Sequence, residues 1–153
     1  MSIDTKKTSI FISYCHSDDA WLKKLNVVLQ TMEYEGLEFE RWDDTRLKTG
    51  DLWKKEIETA IERANVAILL VSNEFLASKF IREKEVPDLL FKAQQAGAKI
   101  LPVIVGRCRF TQSNLKDYQS VNAPDKPLKA ISPHEQDEVL YKLTLEIDKI
   151  INA

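Results

Sequence analysis

Short runs of apolar residues alternate along the chain with longer segments in which apolar residues recur every three or four positions. The short runs predict β-strands and the longer segments predict amphipathic helices, because strands and helices have these two periodicities. The predicted strands are residues 9–13, 37–42, 66–71 and 99–105, with a short edge strand at 128–131. The predicted helices begin near Asp18, Asp51, Pro87 and Pro133, and glycine follows the first and third of them.

The third and fourth predicted strands are continuously apolar instead of alternating. Residues 66–71 are Val-Ala-Ile-Leu-Leu-Val, and residues 100–105 are Ile-Leu-Pro-Val-Ile-Val. Such runs are typical of central parallel strands that helices cover on both faces. Together with right-handed crossovers, the pattern predicts an α/β fold. We expect a flavodoxin-like, doubly wound and mostly parallel sheet of five strands in the order 2-1-3-4-5, with helices on both faces.

Several residues predict where helices begin. Asp18 or Asp19 is suited to cap the first helix. Pro87 is suited to the first position of the third helix, and it disfavours helical backbone at Val86. The segment Ser132-Pro133-His134-Glu135 has the spacing of a capping box, so it predicts the start of the last helix.

Length and charge restrict the class of protein. A chain of 153 residues is enough for one domain, which we expect over residues 1–153, either alone or followed by a sensor domain after Ala153. The net charge is −2, and no run of lysine or arginine offers a foothold for nucleic acid. The longest apolar runs have about six residues where a membrane span needs about 20. We therefore expect neither nucleic acid nor a membrane as a partner.

The cysteines and the N-terminus predict a cytoplasmic protein. Cys15 and Cys108 are too few for a disulfide framework and suit a reducing compartment. Residues 1–9 lack the apolar core of a signal peptide. We expect no metal site, because His134 has no second histidine or cysteine at ligand spacing.

The predicted fold selects two loops as the place for a ligand. In doubly wound sheets ligands bind beyond the carboxyl ends of the strands, at the switch point between strands one and three. The first loop, residues 13–18, is rich in hydroxyl groups and leads into a helix N-terminus, which suits phosphate or ribose oxygens. The second loop, residues 72–85, carries several charged side chains.

Other occupants of this architecture do not fit those loops. A phospho-acceptor receiver domain needs an aspartate after strand three, where Ser72 and Asn73 stand. Neither a GxGxxG nor a GxxxxGK[ST] motif is present, so the known dinucleotide and P-loop fingerprints are missing. A phosphatase-like Cys15 would need arginine six residues later, where the chain has Trp21.

Four blocks of sequence, in the right order, resemble the Toll/interleukin receptor (TIR) domain family, and most closely its bacterial members. The blocks match the first strand and loop, the second strand with the long BB loop, the third strand with its loop, and the fourth strand. They are Ile10-Phe11-Ile12-Ser13-Tyr14 with Asp18, Trp42-Asp43-Asp44 with Leu47-Lys48-Thr49-Gly50, Ile68-Leu69-Leu70-Val71-Ser72 with Phe75-Leu76-Ala77-Ser78 and Glu85, and Gly97-Ala98-Lys99-Ile100-Leu101-Pro102-Val103.

This resemblance implies two functions, because the family contains both signalling scaffolds and enzymes that hydrolyse or cyclise NAD. In the enzymes one glutamate after the third strand is essential, and Glu85 matches it, with Glu83 as the second choice. NAD is then the substrate, and no further cofactor is implied. The implied substrate-binding residues are Ser13, Tyr14, His16, Asp43, Ser72, Phe80 and Ile81. Self-association into a homo-oligomer or filament would use Asp44, Arg46, Leu47, Lys48 and Gly50 of the BB loop.

One carboxylate suffices for such a reaction. Ordinary glycosidases use two, one of which protonates the leaving oxygen. The nicotinamide of NAD is already cationic and leaves neutral, so a single carboxylate can stabilise the positive charge that develops on the ribose. One departure from the family concerns the tryptophan that many bacterial members carry four residues before the glutamate, where this chain has Ile81. Ring stacking would come from Phe80, Tyr14 or a neighbouring subunit.

The leading hypothesis is a bacterial antiviral effector that consumes NAD and is activated by self-association through the BB loop. The runner-up is a non-catalytic TIR module that recruits other TIR domains, and a distant third is a nucleoside-processing enzyme with the same architecture. A plainer role for Glu85 also remains open, because acidic residues near a helix start complement the helix dipole.

Overall fold

The computed structural model of the protein describes residues 7–43, 52–78, 81 and 85–152, with the side chains of 52–54 and 85 outside that description. The strands are β1 (Thr8–Ser13), β2 (Phe39–Asp43), β3 (Val66–Val71) and β4 (Lys99–Ile104). The helices are α1 (Asp19–Tyr34), α2 (Leu52–Arg63), α3 (Asn73–Ala77), α4 (Glu85–Gln95) and α5 (Pro133–Ile151). Short 3-10 helices span His16–Asp18, Phe110–Gln112 and Leu128–Ala130.

The four strands form one parallel sheet in the order β2-β1-β3-β4. In register, Ile12 of β1 lies beside Ile68 of β3, which in turn lies beside Leu101 of β4. The other edge of β1 pairs with β2. This order confirms the predicted doubly wound α/β fold with its switch point between β1 and β3.

Alternate residues of the central strands pack into two separate cores. On one face Ile10 and Ile12 of β1 join a buried cluster with residues of α1 and α5. On the other face Phe11 joins a buried cluster with residues of α2 and α4. Because every residue of β3 is buried, the continuous apolar run of residues 66–71 is explained by cover on both faces. Each such aliphatic or aromatic side chain contributes about 1.5–3 kcal/mol to stability by leaving water.

The predicted fifth strand at residues 128–131 is wrong, because Leu128–Ala130 form a 3-10 helix. The outer edge of β4 is instead covered by a loop. Val121 donates its backbone N–H to Pro102 O (2.8 Å). The side-chain amide of Asn122 accepts from Ile104 N–H (2.8 Å) and donates to Ile104 O (2.9 Å). The buried amide of Asn122 therefore makes the two hydrogen bonds to Ile104 that the backbone of a neighbouring strand would otherwise make.

Three helix ends lie where short sequence motifs predict them. Gly36 and Gly97 follow α1 and α4 with φ of 95° and 106°, the left-handed conformation that glycine adopts freely at a helix C-terminus. The capping box at the start of α5 is confirmed: Ser132 Oγ accepts from Glu135 N–H, and the Glu135 carboxylate accepts from Ser132 N–H. Both devices act within a few residues, so sequence alone reveals them.

Helix α4 begins at Glu85, two residues before the predicted start at Pro87. Proline is tolerated in the first turn, where its missing N–H has no helical partner to lose. Val86 is helical although a proline follows it, and it is 4% exposed within the core. Packing of Val86 therefore outweighs the local preference for extended backbone. The short helix α3 lies in a segment predicted to be irregular.

We expect Asn122→Ala to destabilise the fold by about 2–3 kcal/mol, because it leaves the buried Ile104 N–H and C=O without hydrogen-bond partners. Chemical denaturation monitored by circular dichroism measures this loss. Asn114→Ala, an exposed asparagine in the same connection, is the matched control and should change stability by less than about 0.5 kcal/mol. Equal losses in the two variants would contradict the edge-covering role of Asn122.

Candidate active site

The loops after β1 and β3 lie side by side at the carboxyl edge of the sheet. The two strands are neighbours, and Ser13, the last residue of β1, pairs with Leu69 near the end of β3. The chain leaves β1 toward β2 on one side and returns to β3 on the other, so a crevice forms between these loops. This is the site that the sequence predicts.

A buried carboxylate stands at the centre of that edge. Asp18 is 1% exposed, and its Oδ2 accepts a hydrogen bond from Ser72 Oγ (2.5 Å). Lys129 Nζ lies 3.6 Å from Asp18 Oδ1, which is within ion-pair range but too long for a hydrogen bond. Asp18 precedes α1 without capping it through its side chain. Of the two predicted capping residues, Asp18 therefore occupies the N-cap position but makes no capping hydrogen bond, because its carboxylate binds Ser72 of the neighbouring loop.

Ser72 joins this cluster to α3. Its hydroxyl oxygen accepts from Phe75 N–H (3.2 Å) and so caps α3, while the hydroxyl hydrogen goes to Asp18. Ser72 is 1% exposed. Both hydrogen-bonding functions of this predicted substrate-binding residue are therefore engaged within the protein, and any contact with a ligand stays a prediction.

The first loop contributes buried and exposed side chains to the crevice. Ser13 and Tyr14 are buried, with Tyr14 in the core cluster that contains Ile12. His16 is exposed, and its ring lies 6.2 Å from that of Tyr14 in an edge arrangement. Of the predicted ligand contacts in this loop, His16 is the one whose side chain is open to solvent.

The structure describes the other predicted site residues to different extents. Asp43 ends β2 and is half-buried beside the crevice edge of β1. Ile81 is 4% exposed and packs in the core cluster of α2 and α4. Glu85 is the first residue of α4, and its side chain lies outside the described part. The predicted residues that lie outside the described part of the chain are Phe80, Glu83, Asp44, Arg46, Leu47, Lys48 and Gly50.

A cavity of about 620 Å³ lies apart from this crevice, between β2 and α2. Its lining includes Trp42, Lys55 and Arg63, and it reaches Ser9 near the amino end of β1. Trp42 also stacks on Phe11, with ring centroids 5.2 Å apart, so this tryptophan packs on the core. We assign the site to the crevice and not to this cavity, because the buried polar cluster of Asp18 and Ser72 belongs to the crevice.

Thiol and metal chemistry receive little support in the described part of the chain. Burial raises the pKa of the Cys108 thiol, and a backbone hydrogen bond from Phe110 offsets part of this effect. Burial also raises the pKa of the Tyr118 hydroxyl, and the negative charge of Asp117 raises it further. Cys108 is therefore a weakened nucleophile at neutral pH. Within residues 7–43, 52–78, 81 and 85–152, no group of three or more His, Cys, Asp or Glu side chains could hold a metal ion.

Comparison with known proteins identifies the family. The model of the TIR domain family matches residues 10–136, so the chain belongs to that family. The uncharacterized protein y4lF of Sinorhizobium fredii is 26% identical over 120 residues, which cover 78% of this chain and 37% of that protein. The chain thus spans little more than a third of this relative.

Solved structures agree on the fold. The TIR domain heterodimer of RPS4 and RRS1 matches with a TM-score of 0.59 at 12% identity, covering 97% of this chain and 100% of that one. A prokaryotic SEFIR domain gives 0.61 at 16% identity, covering 95% and 92%. The TIR domain of a Toll-related receptor from Hydra magnipapillata gives 0.51 at 19% identity, covering 94% and 98%. In the described residues no helix is long and apolar enough to span a membrane.

We expect Ser72→Ala to cost about 2 kcal/mol of folding stability, because Asp18 loses its hydrogen-bond donor and α3 loses its cap. Ser17→Ala, which removes an exposed hydroxyl from the adjacent loop, is the matched control with an effect below about 0.5 kcal/mol. Urea denaturation compares the two. A Ser72→Ala protein as stable as Ser17→Ala would refute the buried cluster.

Proposed function

We propose that the protein cleaves the bond between nicotinamide and ribose in NAD, with Glu85 as the essential carboxylate. The observation that carries this proposal is the position of Glu85 in a TIR domain. Glu85 is the first residue of α4, the long helix that follows β3 in the chain. The match of Glu85 to the glutamate of the family's enzymes supports the choice of residue.

The chemistry needs one negative charge beside the ribose. As the C–N bond breaks, its electron pair goes to the pyridinium ring, and nicotinamide departs neutral. The ribose becomes electron-poor, and a carboxylate held close to it lowers the energy of that state. Attack by water then gives hydrolysis, whereas attack by the adenine base of the same nucleotide gives a cyclic product.

Two residues at the crevice are the proposed contacts for the nucleotide. His16 is exposed at the crevice rim and Asp43 ends the neighbouring strand. Phe80 is the proposed stacking residue for the nicotinamide ring, because Tyr14 and Ile81, the other predicted contacts, are buried. Ser13 and Ser72 are buried, so we assign them to shaping the loops that the nucleotide touches.

We expect Glu85→Gln to lower the rate of nicotinamide release about 100-fold or more, because the neutral amide cannot stabilise the cationic ribose. Release from concentrated protein incubated with NAD is measured by chromatography, which also separates the hydrolysed from the cyclic product. Glu83→Gln, the second candidate, should retain activity.

Asp88→Asn is the matched control, since Asp88 is an exposed carboxylate one turn further along α4. It should release nicotinamide at the rate of the unaltered protein, and all variants should unfold at similar temperatures. Equal release by the unaltered protein and Glu85→Gln would reject the site, and no release by the unaltered protein at high concentration would reject the activity.

A second candidate function is a scaffold that binds other TIR domains. Exposed apolar side chains lie on two helices that pack together: Val27 and Tyr34 of α1 are 60% and 91% exposed, and Tyr141 of α5 is 60% exposed. A TIR partner that covered these side chains would remove their apolar surface from water. The TIR domains of RPS4 and RRS1 form a heterodimer, so a paired arrangement is compatible with the fold.

The two functions combine if assembly activates the enzyme. We propose self-association through the BB loop, residues 43–50, in the setting of a cytoplasmic bacterial defence effector. Control by assembly would keep the substrate, an abundant metabolite inside cells, from being consumed before a signal arrives.

We expect Lys48→Glu to reduce self-association about tenfold or more, because it reverses a charge in the proposed contact loop. Analytical ultracentrifugation over a range of concentrations measures the change. Lys126→Glu, which reverses an exposed charge on the connection before α5, is the control. Identical association by both variants would exclude this loop from the interface.

A further inference from the structure

The contact between Lys129 and Asp18 joins three parts of the chain at the crevice. Lys129 lies in the 3-10 helix that precedes α5. Asp18 precedes α1, and Ser72, which donates to the other oxygen of Asp18, precedes α3. The segment after β4 is thereby connected to both crevice loops through a single carboxylate.

The two partners are held very differently. Asp18 is 1% exposed, whereas the side chain of Lys129 is 52% exposed. The backbone of Lys129 is anchored, because its N–H donates to the carbonyl oxygen of Val105, the residue after β4 (3.0 Å). Its aliphatic chain passes over Gly106, where an added β-carbon would lie 3.7 Å from Lys129 Cδ. The ammonium group thus reaches Asp18 from a defined anchor.

Lys129 is the ion-pair partner of Asp18 among the described residues. The carboxylate otherwise has one hydrogen bond, from Ser72, and no hydrogen bond to Oδ1 within that part of the chain. A buried carboxylate that loses its cation is under pressure to reach water. A shift of Asp18 toward water would stretch its hydrogen bond to Ser72 and so loosen the contact between the two loops.

We propose that Lys129 is a positioning residue for nicotinamide cleavage: it holds Asp18 against Ser72 and so sets the separation of the crevice loops. The catalytic part of this inference rests on the proposed function. Lys129 acts through Asp18 and does not contact the nucleotide. Through Asp18 and Ser72 its effect reaches the N-terminus of α3.

The first test is hydrogen exchange of the full chain carrying Lys129→Met. We expect the amides of Asp18, Phe75 and Leu76 to exchange about tenfold faster, because their hydrogen bonds border the loops that Asp18 joins. Lys126→Met removes an exposed lysine from the same connection and should leave these amides unchanged. The amides of β3 should be unchanged in both variants.

The second test separates positioning from ligand binding. In Lys129→Met we expect kcat for nicotinamide release to fall about tenfold with KM changed less than about threefold, since geometry is altered but no ligand contact is removed. Lys129→Arg should restore part of the rate by restoring the cation. Gly106→Leu, which displaces the lysine chain without changing a charge, should resemble Lys129→Met.

Several results would overturn the inference. Unchanged exchange at Asp18, Phe75 and Leu76 would show that the ion pair holds nothing, and faster exchange throughout the sheet would show a merely structural role. A raised KM with unchanged kcat would make Lys129 a direct ligand contact. If the unaltered protein releases no nicotinamide, the proposed function and this catalytic role both fall, while local loosening in Lys129→Met would still establish the connection between the loops.

Discussion

A carboxylate buried at the end of a parallel sheet has to be compensated inside the protein, because water no longer solvates it. Asp18 meets this requirement with a hydrogen bond from Ser72 and an ion pair with Lys129. These groups follow β1, β3 and β4, so compensation of one charge orients three loops at once. The apolar cores beneath them supply most of the stability, but hydrophobic burial has no direction. The polar cluster therefore supplies the geometry that the cores cannot.

The parts of the fold that follow from local or periodic patterns were predictable. The burial of β3 on both faces was visible as an unbroken apolar run, and the capping box at Ser132 was visible as two residues three positions apart. The predicted fifth strand is wrong because a loop covers the edge of β4, partly through the backbone of Val121 and partly through the side-chain amide of Asn122. The spacing of apolar residues carries no information about a side-chain amide that pairs with the edge of a strand.

The candidate site was predictable in place but not in its interactions. The switch-point rule located the loops that contain Asp18 and Ser72. Their hydrogen bond joins residues 54 positions apart, and no spacing in the sequence announces it. A local rule instead suggested helix capping for Asp18, since aspartate before a helix usually serves that purpose. Tertiary contacts overrode this preference, as packing did at Val86.

Membership of the TIR domain family defines the fold without defining the activity, so the available side chains have to decide between scaffold and enzyme. Tyr14 and Ile81 are buried in opposite cores; Ile81 has no ring, and the ring of Tyr14 is not open to a nicotinamide. Within the described residues, the exposed ring of the first crevice loop is that of His16. Under the proposed chemistry, an aromatic face would then come from Phe80 or from a second molecule. In the latter case assembly completes the site, a separated monomer is inactive, and scaffold and enzyme become two stages of one function.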